Sequence, residues 1–226
     1  MIDKSVEYKS IVMIIDGEKV MATPEPTLPE GFSFRFFQDE EDIAHWCRIE
    51  TSVGEFDSEA EARAYFMQEF YHGFSVEIDT MHEVHQFHTK SPHLDEMKRR
   101  CVFILNNENL PIATTTCWFS KGEITSQIHW VAVCPEYQGL GLGKAVTQKA
   151  ITVSAKLAPN QPMWLGTQTN SHRAVLMYHK MGFVMVKNEM QLAHENTYVR
   201  DYAKAIEILA TVLKPEDVLL LQETAV

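Results

Sequence analysis

The sequence predicts a mixed α+β fold, in which helices pack on a largely antiparallel central sheet. β-Prone runs separated by turn signals fill residues 101–133. Apolar residues recur at helical spacing in five other stretches. A strand, a helix and another strand follow one another in the second half. With 226 residues, 45% of them hydrophobic, the chain can form one large core or two small ones. We predict a single domain over residues 1–226.

The first half of the chain alternates strand and helix signals. Two β-prone runs flank the turn dipeptide Asp16-Gly17, which predicts a hairpin over residues 6–22. Three prolines then predict an extended connector over residues 23–31. The next predicted elements are a strand over residues 32–37, a helix over residues 39–54 and a helix over residues 58–71, capped by Asp57 or Ser58. The buried face predicted for the first of these helices consists of Ile43, Trp46, Cys47 and Glu50.

The second half begins with a predicted antiparallel meander over residues 101–133, with turns at residues 106–109 and at Lys121-Gly122. The elements predicted after it are a helix over residues 143–158, a strand over 161–169, a helix over 171–181 capped by Asn170 or Ser171, a strand over 183–186, a helix over 201–213 and a last strand over 217–222.

Charge and composition exclude several function classes. The formal net charge of −11 repels phosphate backbones and anionic lipid, so we expect no nucleic-acid or membrane partner, whereas cationic amines are attracted. The cysteines (Cys47, Cys101, Cys117 and Cys134) form no C-x-x-C pair, which predicts free buried thiols in a reducing cytoplasm. The chain has neither a signal-peptide pattern nor an apolar run long enough for a transmembrane helix, so we expect a cytoplasmic protein.

A glycine-rich loop is the strongest functional signal. The stretch Gln138-Gly139-Leu140-Gly141-Leu142-Gly143 lies between a predicted strand and a predicted helix. Glycines let an anion approach the backbone, and a helix N-terminus adds partial positive charge, so a phosphate or diphosphate is the expected ligand. The alternative is a glycine-rich helix cap without a ligand. The spacing fits neither the Walker A loop nor the dinucleotide fingerprint.

Two motifs resemble those of the GNAT superfamily of N-acetyltransferases. Gln138, Gly141 and Gly143 match its [Q/R]-x-x-G-x-[G/A] acetyl-CoA motif, and Val133-Cys134-Pro135 matches the V-x-P strand end before it. One helix and one strand later, "NSHRAVLMYHKMGF" is similar to N-x-x-A-x-x-x-Y-x-K-x-G-F with one extra residue. The resemblance covers residues 32–186, with residues 1–30 and 187–226 outside it.

The resemblance implies a sheet with helices on both faces, splayed where two parallel strands hold acetyl-CoA. It implies that the backbone amides of Val131, Ala132 and Val133 bind the acetyl and pantetheine groups. The implied pyrophosphate ligands are the amides of Gln138, Gly139, Leu140, Gly141, Leu142, Gly143 and Lys144. Asn170 would contact the cofactor arm, and Tyr178 would donate a proton to the leaving thiolate.

The general base is less clear from the sequence. Gln127, His129, Val131 and Val133 are predicted to share one strand face. Some family members have a glutamate where Gln127 stands, and a glutamine cannot accept the proton. Others carry histidines on this strand, and His129 matches one of those positions, so His129 is the candidate base or one end of a water relay. A substrate amine that arrives neutral, with only water to help, is the alternative.

A histidine-rich segment precedes the meander. His82, His85, His88 and His93 could bind a metal, line the acceptor site or simply lie in solvent. Because no cysteine is near and the family needs no metal, we predict none. The C-terminal helix over residues 201–213 is either an insertion before the last strand or a partner-binding addition, and the first is preferred because an apolar strand needs a sheet to pair with.

The sequence therefore predicts an acetyl-CoA-dependent N-acetyltransferase. Its acceptor would be a primary amine of a small molecule or peptide, acetylated by direct transfer in a ternary complex. The alternative is an acyl-CoA-binding protein of the same fold without turnover, acting as a sensor or interaction module. The sequence leaves the oligomeric state undecided. A homodimer is one possibility, because dimers are the commonest soluble oligomers.

Overall fold

The computed structural model describes residues 2–71, 77–80, 83–86, 93–119, 126–187 and 202–226. The strands are β1 Ser10–Ile15, β2 Ser33–Phe36, β3 Glu77–Thr80, β4 Glu83–Gln86, β5 Cys101–Leu105, β6 Pro111–Phe119, β7 Ser126–Val133, β8 Met163–Gln168 and β9 Val184–Met185. The helices are α1 Gly17–Ala22, α2 Glu41–Ser52, α3 Glu59–Phe66, α4 His93–Arg100, α5 Leu142–Leu157, α6 His172–Lys180, α7 Tyr202–Leu209 and α8 Pro215–Thr224. A π-helical turn, Met67–Tyr71, continues α3.

Within the described ranges, seven strands form one sheet in the order β2-β5-β6-β7-β8-β1-β9, while β3 and β4 pair separately. The pairs β2–β5, β5–β6, β1–β8 and β1–β9 are antiparallel. β7 and β8 are parallel, with Ser126 opposite Met163 and Ile128 opposite Leu165. The predicted α+β class with a largely antiparallel sheet is confirmed.

The chain divides into two compact units. The first unit comprises residues 1–24, 119–129 and 154–226, and the second comprises residues 25–118 and 130–153. β7 contributes residues 126–129 to the first unit and 130–133 to the second. The single domain predicted over residues 1–226 stays a prediction.

In the first unit, β1 lies between β8 and β9. The predicted hairpin over residues 6–22 is wrong, because α1 follows β1 directly. Asp16 caps this helix, with its Oδ1 accepting a hydrogen bond from the Lys19 amide at 2.9 Å. A Cβ on Gly17 would lie 2.1 Å from the Asn160 carbonyl oxygen, so the helix start requires glycine. Long-range pairing with β8 and β9 therefore overrides the local turn signal.

The predicted last strand over residues 217–222 is also wrong. Pro215 begins α8, in which Val218 and Leu221 are buried three residues apart while Leu219 and Leu220 are exposed. Proline at the first helical position favours this outcome, and the apolar run has helical rather than strand burial. The sheet edge is instead met by the backbone of Val226, whose amide donates to the Met185 carbonyl at 3.0 Å.

In the second unit, α2 and α3 each bury one face in the core. Ile43, Trp46, Cys47 and Glu50 are all buried, as the helical spacing predicts. Ser58 caps α3, its Oγ accepting a hydrogen bond from the Glu61 amide at 3.2 Å. The turn predicted at residues 106–109 connects β5 and β6, whereas the turn predicted at Lys121-Gly122 lies outside the described residues.

All four cysteines are buried and have free thiols. Among the described side chains, no cluster of three His, Cys, Asp or Glu residues could hold a metal ion. The side chains of His82, His85, His88 and His93 lie outside the described part of the chain, so the readings proposed for them stay open. No helix in the described ranges has both the length and the apolar character needed to cross a membrane.

Candidate functional site

The glycine loop lies in the second unit, between the end of β7 and the start of α5. The Cys134 amide donates to the Ile112 carbonyl at 2.9 Å, which ties the strand end to β6. Gly139 and Gly141 both have φ of 82°, a left-handed conformation that L side chains rarely adopt. A Cβ added at either glycine would meet no atom within 4 Å. The loop therefore exposes its backbone to open space, as the anion-site prediction requires.

The loop is held in place by contacts that leave this backbone exposed. The Gln138 Nε2 donates to the Val133 carbonyl at 2.8 Å, so this side chain fastens the loop to its own strand end. The Asn106 Nδ2 donates to the Tyr137 hydroxyl at 3.0 Å. Leu142 is buried, whereas Leu140 is half exposed. Because these contacts need no ligand, the loop is preorganised.

The first turn of α5 offers free backbone donors. The Ala145 amide makes the first helical hydrogen bond, to the Gly141 carbonyl at 3.1 Å, so the amides of Leu142, Gly143 and Lys144 precede the helical ladder. The first turn has no acidic residue. The 16-residue helix directs its positive dipole end towards this point. Amides and dipole together favour a bound anion such as a pyrophosphate.

Side chains of α2 contact Cys134, the residue that follows the end of β7. The Ser52 Oγ lies 3.7 Å from the Cys134 Sγ, and the Arg48 Nη1 lies 3.8 Å from the same sulfur. The Arg48 guanidinium also donates to the Pro111 carbonyl. These contacts hold Cys134, and with it the start of the glycine loop, against the helix.

Trp130 interrupts β7, which the sequence did not reveal. Its φ is 53°, whereas a regular strand has φ near −120°. The face predicted to run from Gln127 and His129 to Val131 and Val133 assumed a regular strand, and that prediction is wrong because the alternation breaks at Trp130. The packing of the indole against Trp46, Phe56 and Tyr65, residues distant in the chain, explains why a bulky residue adopts this conformation.

The first unit contains the other predicted site residues. Gln127 is buried and His129 is half-buried on β7. Asn170 lies in the 3₁₀ turn Thr169–Ser171 between β8 and α6, where its carbonyl accepts from the Asp3 amide at 2.7 Å. Its side-chain Oδ1 is buried and has no hydrogen-bond partner among the described residues. A buried acceptor of this kind fits a ligand N–H group.

Tyr178 lies on α6 and is only 6% exposed. Its ring packs edge-on against Phe183, with 6.1 Å between the ring centroids. Gly182 ends the helix with φ of 100°, and the Phe183 amide turns back to the Tyr178 carbonyl at 3.1 Å. This glycine stop explains the spacing of Tyr178, Gly182 and Phe183 in the motif. The predicted caps Asn170 and Ser171 make no side-chain capping bond, although Ser171 occupies the N-cap position.

The predicted site residues thus fall into two sets. The second unit holds Val131, Ala132, Val133, Gln138, Gly139, Leu140, Gly141, Leu142, Gly143 and Lys144. The first unit holds His129, Asn170 and Tyr178.

A buried carboxyl group in the second unit was not predicted to have any special role. Glu50 is 1% exposed, and its Oε1 has no hydrogen-bond partner among the described residues. Burial, with a smaller contribution from the charge of Glu55, raises the pKa of Glu50 well above 4.5. Its helical spacing predicted burial but gave no signal that Oε1 would lack a hydrogen-bond partner among the described residues.

Glu50→Gln is expected to stabilise the protein increasingly as pH rises above 4.5. The folded state holds the Glu50 proton more tightly than the unfolded state, so wild-type stability is full below the unfolded pKa and falls towards the raised folded pKa. Glutamine cannot ionise and removes this loss, which amounts to at most about 1.4 kcal/mol per pH unit. Urea unfolding between pH 4.5 and 8 measures it. Glu59→Gln, which removes an exposed carboxylate at the start of α3 in the same unit, is the control. Parallel wild-type and Glu50→Gln pH profiles would contradict the prediction.

Comparison with known proteins identifies the family. The sequence profile of the acetyltransferase (GNAT) family matches residues 60–183, more than half of the chain. The chain belongs to the GNAT acetyltransferase family. The family resemblance inferred from the two motifs is therefore confirmed. Membership supports acyl-CoA-dependent acetyl transfer in general, with an acyl-CoA and an acceptor as substrates.

Solved structures share the fold of this GNAT chain. A GCN5-related N-acetyltransferase from Sphaerobacter thermophilus has a TM-score of 0.56 at 17% identity, over 80% of this chain and 49% of its own. A GNAT-family acetyltransferase from Colwellia psychrerythraea has a TM-score of 0.52 at 11% identity, over 79% and 54%. A tandem GNAT protein from the clavulanic acid biosynthesis pathway has a TM-score of 0.51 at 11% identity, over 80% and 51%.

This chain spans about half the length of those solved structures. At such identities the likeness shows the fold alone. No curated protein shows significant sequence similarity to the chain.

Proposed function

We propose that this protein is an acetyl-CoA-dependent N-acetyltransferase that acetylates a primary amine of a small molecule or peptide by direct transfer. One observation carries the proposal: two left-handed glycines, each with open space where a Cβ would lie, lead into the first-turn amides of α5 that precede the helical hydrogen bonds. Ordering several glycines costs more conformational entropy than a plain helix cap requires. Binding of a pyrophosphate to the exposed amides would offset this entropy cost.

Three groups on the chain would hold the cofactor. The backbone amides of Val131, Ala132 and Val133 would bind the acetyl carbonyl and the pantetheine arm. The amides from Gly139 to Lys144 would bind the pyrophosphate. Gln138, also predicted as a ligand, donates its own amide to the Pro135 carbonyl at 3.3 Å and its side chain to the Val133 carbonyl, so it would hold the loop instead. The buried Oδ1 of Asn170 would accept from an amide N–H of the pantetheine, which supplies the partner that this atom lacks among the described residues.

Two side chains would move protons. Acetyl-CoA supplies an activated thioester, and transfer to an amine leaves a thiolate that must be protonated. The Tyr178 phenol would donate that proton. His129 would accept a proton from the attacking amine, directly or through water, since imidazole titrates near neutral pH. The net charge of −11 supports a cationic amine over an anionic acceptor.

Calorimetric titration with acetyl-CoA tests the proposal, with desulfo-CoA and ATP as comparison ligands. We expect micromolar acetyl-CoA binding, similar affinity for desulfo-CoA and much weaker binding of ATP. Release of free thiol from acetyl-CoA in the presence of a panel of amines then measures turnover. No binding at millimolar acetyl-CoA would overturn the proposal and leave the loop as a bare helix cap.

A second candidate is an acyl-CoA-binding protein of the same fold without turnover. Gln127 favours it, because this buried side chain cannot accept a proton where some family members carry a glutamate. Acetyl-CoA binding without thiol release for any amine in the panel would support this candidate over the enzyme.

A further inference from the structure

Gly166 is an exposed glycine inside β8, in the first unit. The residues on either side of it, Leu165 and Thr167, are buried. β8 is an interior strand of the sheet, with β7 and β1 as its neighbours. A glycine inside a strand often marks a place where a ligand approaches the backbone closely.

The fold does not require glycine at this position. Gly166 is not left-handed, unlike Gly139 and Gly141. The nearest described atom to a Cβ added at Gly166 would be Trp164 Cζ3, at the ordinary van der Waals distance of 3.8 Å. Alanine would therefore fit, in contrast to Gly17, where an added Cβ would clash with the backbone. Because glycine weakens a strand interior relative to alanine, its presence here needs a reason other than folding.

Gly166 lies where β7 and β8 separate. Within the described residues, the parallel pairing of these two strands ends with Ile128 opposite Leu165. Extending that register by one residue places Gly166 opposite His129, the candidate base. The exposed glycine is therefore level with the proposed reacting groups.

The open space over Gly166 belongs to a defined face of the sheet. Gln127 pairs with Trp164, and His129 and Gly166 each follow two residues later, so all four positions share one face. We call the space over Gly166 on this face, next to the Trp164 ring, the Gly166 notch. An apolar group of one or two carbons placed there would contact the ring.

The proposed course of acetyl-CoA along β7 leads towards the notch. The pyrophosphate would bind the loop that follows β7, and the pantetheine arm would run along Val133, Ala132 and Val131. The acyl group is at the opposite end of this arm from the pyrophosphate. Carbons added to the acyl group would therefore extend in the direction of His129 and of Gly166 opposite it.

We propose that the Gly166 notch admits the acyl chain of the donor, so that the protein binds propionyl-CoA and butyryl-CoA at least as well as acetyl-CoA. This inference rests on the proposed function and deepens it. Contact with the Trp164 ring would stabilise each added methylene group. The transfer itself is unchanged: the thioester C–S bond breaks, a C–N bond to the amine forms, the amine loses a proton and the thiolate gains one.

Calorimetric titration with acetyl-, propionyl- and butyryl-CoA tests the notch without any acceptor. In the wild type we expect butyryl-CoA to bind roughly fivefold more tightly than acetyl-CoA, because two partly buried methylene groups give less than the gain of full burial. Gly166→Ala fills the notch with a methyl group. It should weaken butyryl-CoA binding about tenfold and propionyl-CoA binding less, and leave acetyl-CoA within about twofold.

Two controls separate this effect from a change in the fold. CoA without an acyl group should bind the wild type and Gly166→Ala equally. The melting temperature of Gly166→Ala should equal or exceed that of the wild type, because the added Cβ fits and alanine favours the strand. Gly31→Ala, which adds a methyl group at an open glycine of the second unit, should leave the preference for butyryl-CoA unchanged.

The outcomes distinguish the notch from the proposed function. Acetyl-CoA binding together with weaker butyryl-CoA binding in the wild type would overturn the notch and leave the proposed function standing. An equal loss of affinity for all three thioesters and for CoA in Gly166→Ala, or an unchanged preference for butyryl-CoA, would also overturn it. Absence of binding for every thioester would overturn both.

Discussion

Tyr178→Phe is expected to lower kcat about 100-fold while the affinity for acetyl-CoA changes less than about twofold. The substitution removes only the phenolic hydroxyl, so the edge-on contact with Phe183 and the buried position of the ring persist. The leaving thiolate then has no positioned proton donor. Initial rates at saturating amine and acetyl-CoA measure kcat, and calorimetry measures the affinity.

Tyr202→Phe is the matched control for the loss of a tyrosine hydroxyl. Tyr202 is a half-buried tyrosine of the same unit, at the start of α7, and we assign it no role in transfer. We expect its kcat to equal that of the wild type. If Tyr178→Phe and Tyr202→Phe both turn over at the wild-type rate, Tyr178 has a packing role only, and water or another group protonates the thiolate.

Gly141→Ala is expected to raise the Kd of acetyl-CoA at least about tenfold. The residue has φ of 82°, so alanine is strained there by about 1–2 kcal/mol, and its Cβ would project into the open space above the loop. That space is where we propose that the pyrophosphate approaches the amides. Calorimetry with acetyl-CoA and urea unfolding measure affinity and stability separately.

Gly31→Ala provides the control that isolates the ligand effect. Gly31 lies in the same unit with φ of 86°, and a Cβ added there would also meet nothing within 4 Å. Both variants should lose similar stability, but only Gly141→Ala should lose affinity. Equal Kd values in the two variants would show that the loop takes no part in binding acetyl-CoA.

The loop and the helix stop around Tyr178 could be predicted because their signals are local. Glycines at alternate positions before an apolar helical stripe predict a loop that leads into α5 with its backbone open to a ligand, and Gly139 and Gly141 both adopt the left-handed conformation that glycine permits. Likewise, Gly182 ends α6 at the predicted position. A glycine conformation and a helix period depend on neighbouring residues, which the sequence lists in order.

The failures share a different cause. Asp16-Gly17 is as good a turn signal as any, yet it starts α1 because β1 pairs with β8, about 150 residues later. By composition, the leucines of residues 217–222 fit a strand or a helix equally well. They form the helix α8 because the fold buries positions three residues apart, Val218 and Leu221. The left-handed Trp130 follows from ring contacts with residues far away in the chain.

The sequence by itself determined the family and the acidic charge, and it predicted the glycine loop that we propose holds a pyrophosphate, because each depends on short motifs or on composition. Only the tertiary structure decided that Gln138 is bonded to its own strand end, that Asn170 keeps a buried acceptor and that Glu50 is a buried carboxyl group with a raised pKa. Those properties depend on which atoms meet across the fold, and burial and hydrogen bonding are set by neighbours that are distant in the chain.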